Sequence, residues 1–188
     1  MTSIYAAGIA MTVFGRHPER SLEDLAGEAL IRALADAGCT APQIGVAYYS
    51  GMTNGTLQGQ ISIPGQVIFS KIGIEGIPVY NVENACASGS SAFNLAVQSL
   101  KAGTADVALA IGAEKMNIPD KAKAFAIFEG GWDVSRAEAN AAVAASLAAI
   151  PPLPDEAQAT AQPRSAPAAN EAPRRRRPSM VGYTGDAT

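Results

Sequence analysis

Residues 82–92 form the most informative stretch of the chain, Val82-Glu83-Asn84-Ala85-Cys86-Ala87-Ser88-Gly89-Ser90-Ser91-Ala92. They join an apolar run typical of a strand, residues 78–82, to a stretch typical of a helix, residues 87–101, so Cys86 lies at the junction. The unpaired N–H groups at the start of a helix and the positive end of its dipole favour a negative charge. They therefore favour the thiolate of Cys86, which is the reactive form of cysteine. The stretch predicts that Cys86 is a nucleophile, in an arrangement similar to the strand–nucleophile–helix elbow of hydrolases.

A buried and unreactive thiol is the alternative interpretation for each of the two cysteines, because free cysteine is among the most buried residue types. Cys39 keeps that interpretation, since it follows the predicted C-terminus of a helix, where a thiolate is disfavoured. Small residues surround Cys86 and leave room for a substrate, which favours the reactive interpretation there. Residues 1–5 lack a basic stretch followed by an apolar one, so we expect no secretory signal and two reduced thiols in the cytoplasm.

Apolar runs and amphipathic stretches alternate over the first 135 residues. The predicted strands cover residues 3–11, 45–50, 78–82 and 106–113, and the predicted helices cover residues 22–37, 58–73 and 87–101. Ser21 followed by Asp24 is a form of the capping box, and Gly38 suits the left-handed end of a helix. The run at 106–113 is continuously apolar, which predicts a strand buried on both sides. The alternation predicts an α/β fold, with a mostly parallel sheet and helices on both of its faces.

The composition divides the chain into a domain at residues 1–135 and an Ala/Pro-rich tail at residues 136–188. Large apolar side chains are scarce in the tail, so it cannot offset its ordering entropy and is predicted to be disordered. The formal net charge of −3 gives no reason to expect nucleic-acid binding, and the arginines at 174–177 are predicted to belong to the solvated tail. No run of about 18 apolar residues occurs, so no membrane span is predicted.

Three motifs of the sequence resemble those of the thiolase superfamily. Asn84-Ala85-Cys86-Ala87-Ser88-Gly89 is similar to the thiolase nucleophile motif, and Val82-Glu83-Asn84 before it resembles the branch of sterol-carrier-protein-type thiolases and archaeal acetyl-CoA acetyltransferases. The supporting motifs are Met11-Thr12-Val13-Phe14-Gly15-Arg16 and Ala110-Ile111-Gly112-Ala113-Glu114-Lys115-Met116. The resemblance covers residues 1–135, which correspond to the opening part of a thiolase. It implies an incomplete N-terminal half, without the last strand of that half.

The resemblance implies an acyltransferase that acts on acyl-CoA or 3-ketoacyl-CoA thioesters through an acyl-enzyme on Cys86. Asn84, Ala87, Ser88 and Gly89 would line the site, and the backbone N–H of Cys86 would help to stabilise an oxyanion. Coenzyme A would be a substrate, with no permanently bound cofactor and no metal. The strand at 78–82 would pair with its two-fold mate in a homodimer.

The histidine and second cysteine that thiolases use as bases have no counterpart in this sequence. His17 is the only histidine, and its place before Pro18 predicts an exposed loop residue. Two alternatives therefore stay open beside the acyltransferase. One is a non-enzymatic, thiolase-like lipid-binding or scaffold subunit that completes its site with a partner chain. The other is a condensing enzyme of the ketoacyl-synthase type, which shares the fold and the cysteine.

Overall fold

The structure is a computed structural model that describes residues 3–151. It divides into two compact units, residues 1–140 and residues 141–188, and each is described by itself. The arginines at 174–177 and most of the predicted disordered tail lie outside the described residues.

Helices and strands alternate along the first unit in the predicted order. The helices are α1 Leu22–Ala37, α2 Pro64–Lys71, α3 Ser88–Lys101, α4 Lys121–Ala126 and α5 Ala137–Ala148, of which α5 continues into the second unit. The strands are β1 Val46–Ser50, β2 Val79–Val82 and β3 Ala108–Gly112. The predicted α/β class is confirmed.

The three strands form one parallel sheet in the order β2-β1-β3. Ala47 of β1 is opposite Val79 of β2, and Val46 of β1 is opposite Ala108 of β3. All five residues of the central strand β1 are buried. The two outer strands are more exposed, since within residues 3–151 each has a strand neighbour on one side only.

Successive side chains of β1 point to opposite faces of the sheet and enter two separate clusters. Ala47 and Tyr49 pack with residues of α1 and α2, among them Leu22, Ala26, Leu30, Ile68 and Phe69. Val46 and Tyr48 pack on the other face against Ala92 and Ala96 of α3. Helices therefore cover both faces of the sheet, as predicted.

The ends of α1 are formed as the sequence predicts. The Ser21 hydroxyl accepts a hydrogen bond from the Asp24 N–H, and the Asp24 carboxylate accepts one from the Ser21 N–H, which is a complete capping box. These hydrogen bonds to Ser21 lower the pKa of Asp24 below its usual value. Gly38 ends the helix at φ 66°, in the left-handed region that favours glycine.

The prediction of a strand at residues 3–11 is wrong, because these residues are not paired with any strand in the structure. They lie along α1 instead. The Ile9 N–H donates to the Asp36 carboxylate at 3.0 Å, and the Met11 carbonyl accepts from the Arg32 guanidinium at 3.0 Å. Gly8 approaches the helix so closely that a Cβ built there would lie 2.3 Å from the Ala33 carbonyl oxygen. The apolar pattern suits a strand, but a strand forms only beside a neighbour that supplies hydrogen bonds.

The prediction that the strand at 106–113 is buried on both sides is also wrong. Only Ile111 of β3 is buried, while Ala110 and Gly112 are exposed. The strand lies at the edge of the sheet within the described residues, so its outer side has no covering strand.

Helix α5 occupies the beginning of the segment that composition assigned to a disordered tail. Its sequence is Ala-Glu-Ala-Asn-Ala-Ala-Val-Ala-Ala-Ser-Leu-Ala, and alanine has the highest helix propensity of all residues. The helix buries none of its residues. Composition alone therefore failed to separate a helical start from the part beyond it.

Candidate active site

Cys86 lies where β2 passes into α3, in a short 3₁₀ turn. Strand β2 ends at Val82, the turn covers Ala85–Ala87, and α3 begins at Ser88 without a break. The cysteine is a free thiol and is exposed to solvent. The structure therefore places the sulfur at the N-terminal end of a helix of 14 residues and within reach of a ligand from outside.

The residue before the cysteine has an unusual backbone conformation. Ala85 has φ 46°, in the left-handed region, where a side chain costs about 1–3 kcal/mol and the surrounding structure must hold it. Both of its backbone polar groups are bonded to side chains. Its N–H donates to Glu83 Oε1 at 2.7 Å, and its carbonyl oxygen accepts from the Ser88 hydroxyl at 2.7 Å. The turn is thus fixed by side chains on either side of Cys86.

Ser88 and Asn84 add further hydrogen bonds to the same turn. The Ser88 oxygen also accepts from the Asn84 N–H at 2.8 Å, and the Asn84 side chain donates to the Ser91 hydroxyl at 2.9 Å. The Ala87 N–H donates to the Asn84 carbonyl at 2.8 Å and closes the turn. Ser88 is only 5% exposed, so its hydroxyl is occupied by the backbone of the turn.

The residues that we predicted to line the site are consecutive neighbours of the cysteine in space as in sequence. Asn84, Ala87 and Gly89 are exposed around Cys86, whereas Ser88 is buried beneath the turn. A Cβ built on Gly89 would lie 3.9 Å from the Ser50 hydroxyl at the end of β1, so this helix start lies close to the sheet. The left-handed Ala85 and the bond from Glu83 were not predicted, because residue spacing does not reveal a backbone dihedral angle.

A cleft of about 430 Å³ lies beside the end of β2. It is lined by Tyr49, Gly51, Met52, Asn54, Gly55, Thr56, Gln60, Ile61, Ile63, Pro64, Asn81, Val82 and Glu83. Asn54 is buried and donates from its side chain to the Tyr49 hydroxyl at 2.5 Å. Its oxygen Oδ1 and the hydroxyl of buried Thr53 have no hydrogen-bond partner among the described residues. Sequence analysis missed this polar group, since the glycines at 51, 55 and 59 suggested only a flexible loop.

The other candidate groups lie apart from this turn in sequence and have local partners. His17 is in the loop before α1, where its Nε2 lies 2.9 Å from the Val13 carbonyl oxygen, and it is half-buried rather than exposed as predicted. Cys39 is a half-buried free thiol directly after α1. Across residues 3–151, no group of three or more His, Cys, Asp and Glu side chains could hold a metal ion.

The outer edge of β2 is open. Tyr80, in the middle of this strand, is 52% exposed and stacks on Tyr48 of β1 with their ring centroids 5.1 Å apart. Within the same described part of the chain, no helix has the length and apolar character needed to cross a membrane.

Comparison with curated proteins identifies relatives that carry thiolase or lipid-transfer names. The chain is 36% identical to "Sterol carrier protein 2" of Gallus gallus over 115 residues, which is 60% of this chain and 20% of that protein. It is 37% identical to "Benzoylsuccinyl-CoA thiolase subunit BbsB" of Thauera aromatica, covering 59% of this chain and 28% of the relative. It is 38% identical to "Acetyl-CoA acetyltransferase" of Methanocaldococcus jannaschii, covering 62% and 29%. The chain thus spans less than a third of the length of each of these three relatives.

The fold is similar to that of a larger solved structure. OleA from Xanthomonas campestris, solved with bound lauric acid and lauroyl-CoA, aligns with a TM-score of 0.50 at 18% identity over 65% of this chain and 35% of that one. The family profile described as "Thiolase, N-terminal domain" matches residues 4–151, which include the sheet, the turn at Cys86 and the helices α1 to α5. The chain therefore belongs to the thiolase family, of which it carries the N-terminal domain.

Proposed function

We propose that the protein acts in acyl transfer on acyl-CoA or 3-ketoacyl-CoA thioesters, with Cys86 as the nucleophile. The observation that carries this proposal is the exposed thiol of Cys86 at the start of α3, in a chain of the thiolase family. An exposed sulfur at a helix start has both access to a substrate and an electrostatic environment that favours its reactive form.

The proposed chemistry is covalent catalysis in two steps. The sulfur of Cys86 attacks the thioester carbonyl, a new carbon–sulfur bond forms, and the bond to coenzyme A breaks. The departing coenzyme A takes up the proton that Cys86 loses. The acyl group then passes from Cys86 to coenzyme A or to a carbanion derived from a second acyl-CoA. The backbone N–H of Cys86, near the start of the turn, would stabilise the oxyanion formed in each step.

Coenzyme A enters this scheme as a substrate, and we propose no permanently bound cofactor. The scheme also needs a base to deprotonate the thiol and an acid–base group for the second step. The one histidine, His17, bonds to its own loop before α1. We propose that the missing groups come from a partner chain that completes the site.

We propose a homodimer, or a complex with a partner subunit, that forms through the outer edge of β2. This edge presents unpaired backbone N–H and C=O groups, and such an edge readily pairs with another strand. Sedimentation analysis of the purified chain tests the proposal, since a dimer has twice the mass of the 19.2 kDa chain. We also propose a cytoplasmic location, because both cysteines of the structure are free thiols.

Mass spectrometry of the chain after incubation with acetyl-CoA tests the role of Cys86. We expect an acetyl group on the peptide that contains Cys86, and the same adduct in Cys39→Ala, which removes the other thiol. We expect no adduct in Cys86→Ala. A folded wild-type chain that stays unmodified, or an adduct that persists in Cys86→Ala, would contradict the proposal.

A second candidate is a non-enzymatic subunit that binds lipid or acts as a scaffold. Its support comes from the names of two relatives, "Sterol carrier protein 2" and "Non-specific lipid-transfer protein-like 2", and from the cleft beside β2. Binding of a fluorescent fatty acid separates the two candidates. A lipid-binding subunit would bind it equally well as wild type and as Cys86→Ala, and neither would accept an acetyl group.

A further inference from the structure

We propose that Glu83 and Ser88 are positioning residues, which hold Ala85 in its left-handed conformation and thereby fix the orientation of Cys86. This inference deepens the proposed function and rests on the assignment of Cys86 as its nucleophile. It concerns two side chains that bond to the backbone of the turn and have no role in the acyl transfer scheme itself.

The first argument is that the conformation of Ala85 needs support. Its φ of 46° is one that a residue with a side chain rarely adopts, and within residues 3–151 only Ile63 shares this feature among the residues other than glycine. The chain does not place a glycine at position 85, which would adopt this angle freely. Interactions outside Ala85 must therefore hold it there.

The second argument is that the support comes from two side chains, one for each backbone polar group. Glu83 binds the Ala85 N–H and Ser88 binds the Ala85 carbonyl, each at 2.7 Å. Ser88 is buried and also accepts from the Asn84 N–H, so its hydroxyl joins the residues on the N-terminal side of the cysteine to the first residue of α3. A carboxylate that accepts from a backbone N–H forms a charge-assisted hydrogen bond, which is stronger than a neutral one.

The consequence for Cys86 follows from its place directly after Ala85. A change of φ at Ala85 rotates the peptide that contains the Cys86 N–H and redirects the Cα–Cβ bond that carries the sulfur. An acyl transfer needs both groups on the same carbonyl carbon, so a turn that relaxes loses alignment of the attacking sulfur with the oxyanion donor. Loss of either bond to Ala85 should therefore slow the reactions of Cys86 while α3 and the sheet stay intact.

The test compares variants of the full chain by two reactions of Cys86. The first reaction is alkylation by iodoacetamide, measured by peptide mass spectrometry with Cys39 of the same molecule as internal reference. The second is acetylation by acetyl-CoA. The variants are Glu83→Ala, Ser88→Ala and Ser88→Thr, each also combined with Ala85→Gly. Ser90→Ala is the matched control, because its hydroxyl donates to the Ala87 carbonyl in the same region and leaves Ala85 untouched.

We expect Glu83→Ala and Ser88→Ala each to slow the reactions of Cys86 by about fivefold relative to Cys39, which corresponds to one hydrogen bond of about 1 kcal/mol. Ser88→Thr keeps the hydroxyl and should retain most of the rate. Ala85→Gly should restore the rate in both alanine variants, because glycine adopts the left-handed angle without support. A purely structural role of Ser88 would not be rescued by a glycine at position 85.

The outcomes separate this inference from the proposed function. The inference is overturned if Glu83→Ala and Ser88→Ala react as the wild type does, if Ser90→Ala is slowed equally, or if Ala85→Gly fails to rescue. The proposed function survives each of these results as long as wild-type Cys86 is acetylated. Conversely, slowed alkylation with no acetylation of the wild type upholds the positioning of Cys86 and refutes the acyl transfer.

Discussion

The hydroxyl oxygen of Tyr49 lies 2.9 Å from the carbonyl oxygen of Ala113, to which it donates a hydrogen bond. Tyr49 belongs to the central strand β1, and Ala113 directly follows β3, so the bond closes the end of the β1–β3 ladder. The same hydroxyl accepts from the buried side chain of Asn54. One phenol thus connects the central strand, the edge strand and the loop that lines the cleft.

Tyr49→Phe should lower the free energy of unfolding by about 1–3 kcal/mol, because it removes both bonds and leaves the Asn54 side chain buried without an acceptor. Urea unfolding followed by circular dichroism measures this change. Tyr80→Phe is the matched control, since Tyr80 is half exposed and should lose no more than about 0.5 kcal/mol. Equal losses in the two variants would show that the Tyr49 hydroxyl contributes nothing special.

The stability of the protein should fall at alkaline pH in a way that depends on Tyr49. Burial raises the pKa of Tyr49 from 10.0 to about 12, and the hydrogen bond from Asn54 opposes this only in part. The unfolded chain therefore loses this proton before the folded protein does. The stabilisation is complete below pH 10 and is lost as the pH rises toward 12. Unfolding measured from pH 8 to pH 12 should show a steeper loss for the wild type than for Tyr49→Phe, and parallel curves would contradict the shift.

Ser21→Ala should lower the free energy of unfolding by about 1 kcal/mol, because it removes the side chain that caps α1 and half of the reciprocal pair with Asp24. Thermal unfolding is the measurement. The exposed Ser62 provides the control, since Ser62→Ala removes a hydroxyl from a loop and should leave the midpoint unchanged. A midpoint that falls equally in both variants would show that the cap does not stabilise the helix.

Gly8→Ala should detach the N-terminal segment from α1. A Cβ at this position would lie 2.3 Å from the Ala33 carbonyl oxygen and 2.5 Å from the Ala37 nitrogen, so the backbone must move away. Hydrogen exchange of the Ile9 amide, which is bonded to Asp36, should then become faster. Gly15→Ala is the control, because its nearest neighbour would be the His17 ring at 3.9 Å. Unchanged exchange in Gly8→Ala would show that the contact with α1 is looser than its distances indicate.

The features that the sequence predicted correctly depend on residues close together in the chain. The capping box at Ser21, the left-handed Gly38 and the passage from β2 to α3 at Cys86 are each defined within a few residues. The errors concern neighbours that lie far away in the chain. The residues at 3–11 have a suitable pattern and no strand beside them, and β3 has an apolar sequence and an uncovered side. Periodicity reports what a segment could bury, and the fold decides what covers it.

The same distinction holds for the candidate site. The position of Cys86 at the junction followed from the order of apolar and small residues. The inward hydroxyl of Ser88 and the left-handed Ala85 did not, because alanine and serine at these positions are compatible with several backbone conformations. The buried pair Thr53 and Asn54 was missed since glycines on both sides suggested a loop open to water.

The central position of β1 has a consequence for how the chain becomes a folded protein. This strand is made first, yet both of its ladders join it to segments that are synthesised later, residues 79–82 and 108–112. No hairpin is available as a local nucleus within the described sheet, because every pairing in it is parallel and needs a long crossover. A nascent chain therefore leaves the ribosome with the apolar side chains of β1 unpaired until β3 has emerged, and it depends on helix contacts or a chaperone during that interval.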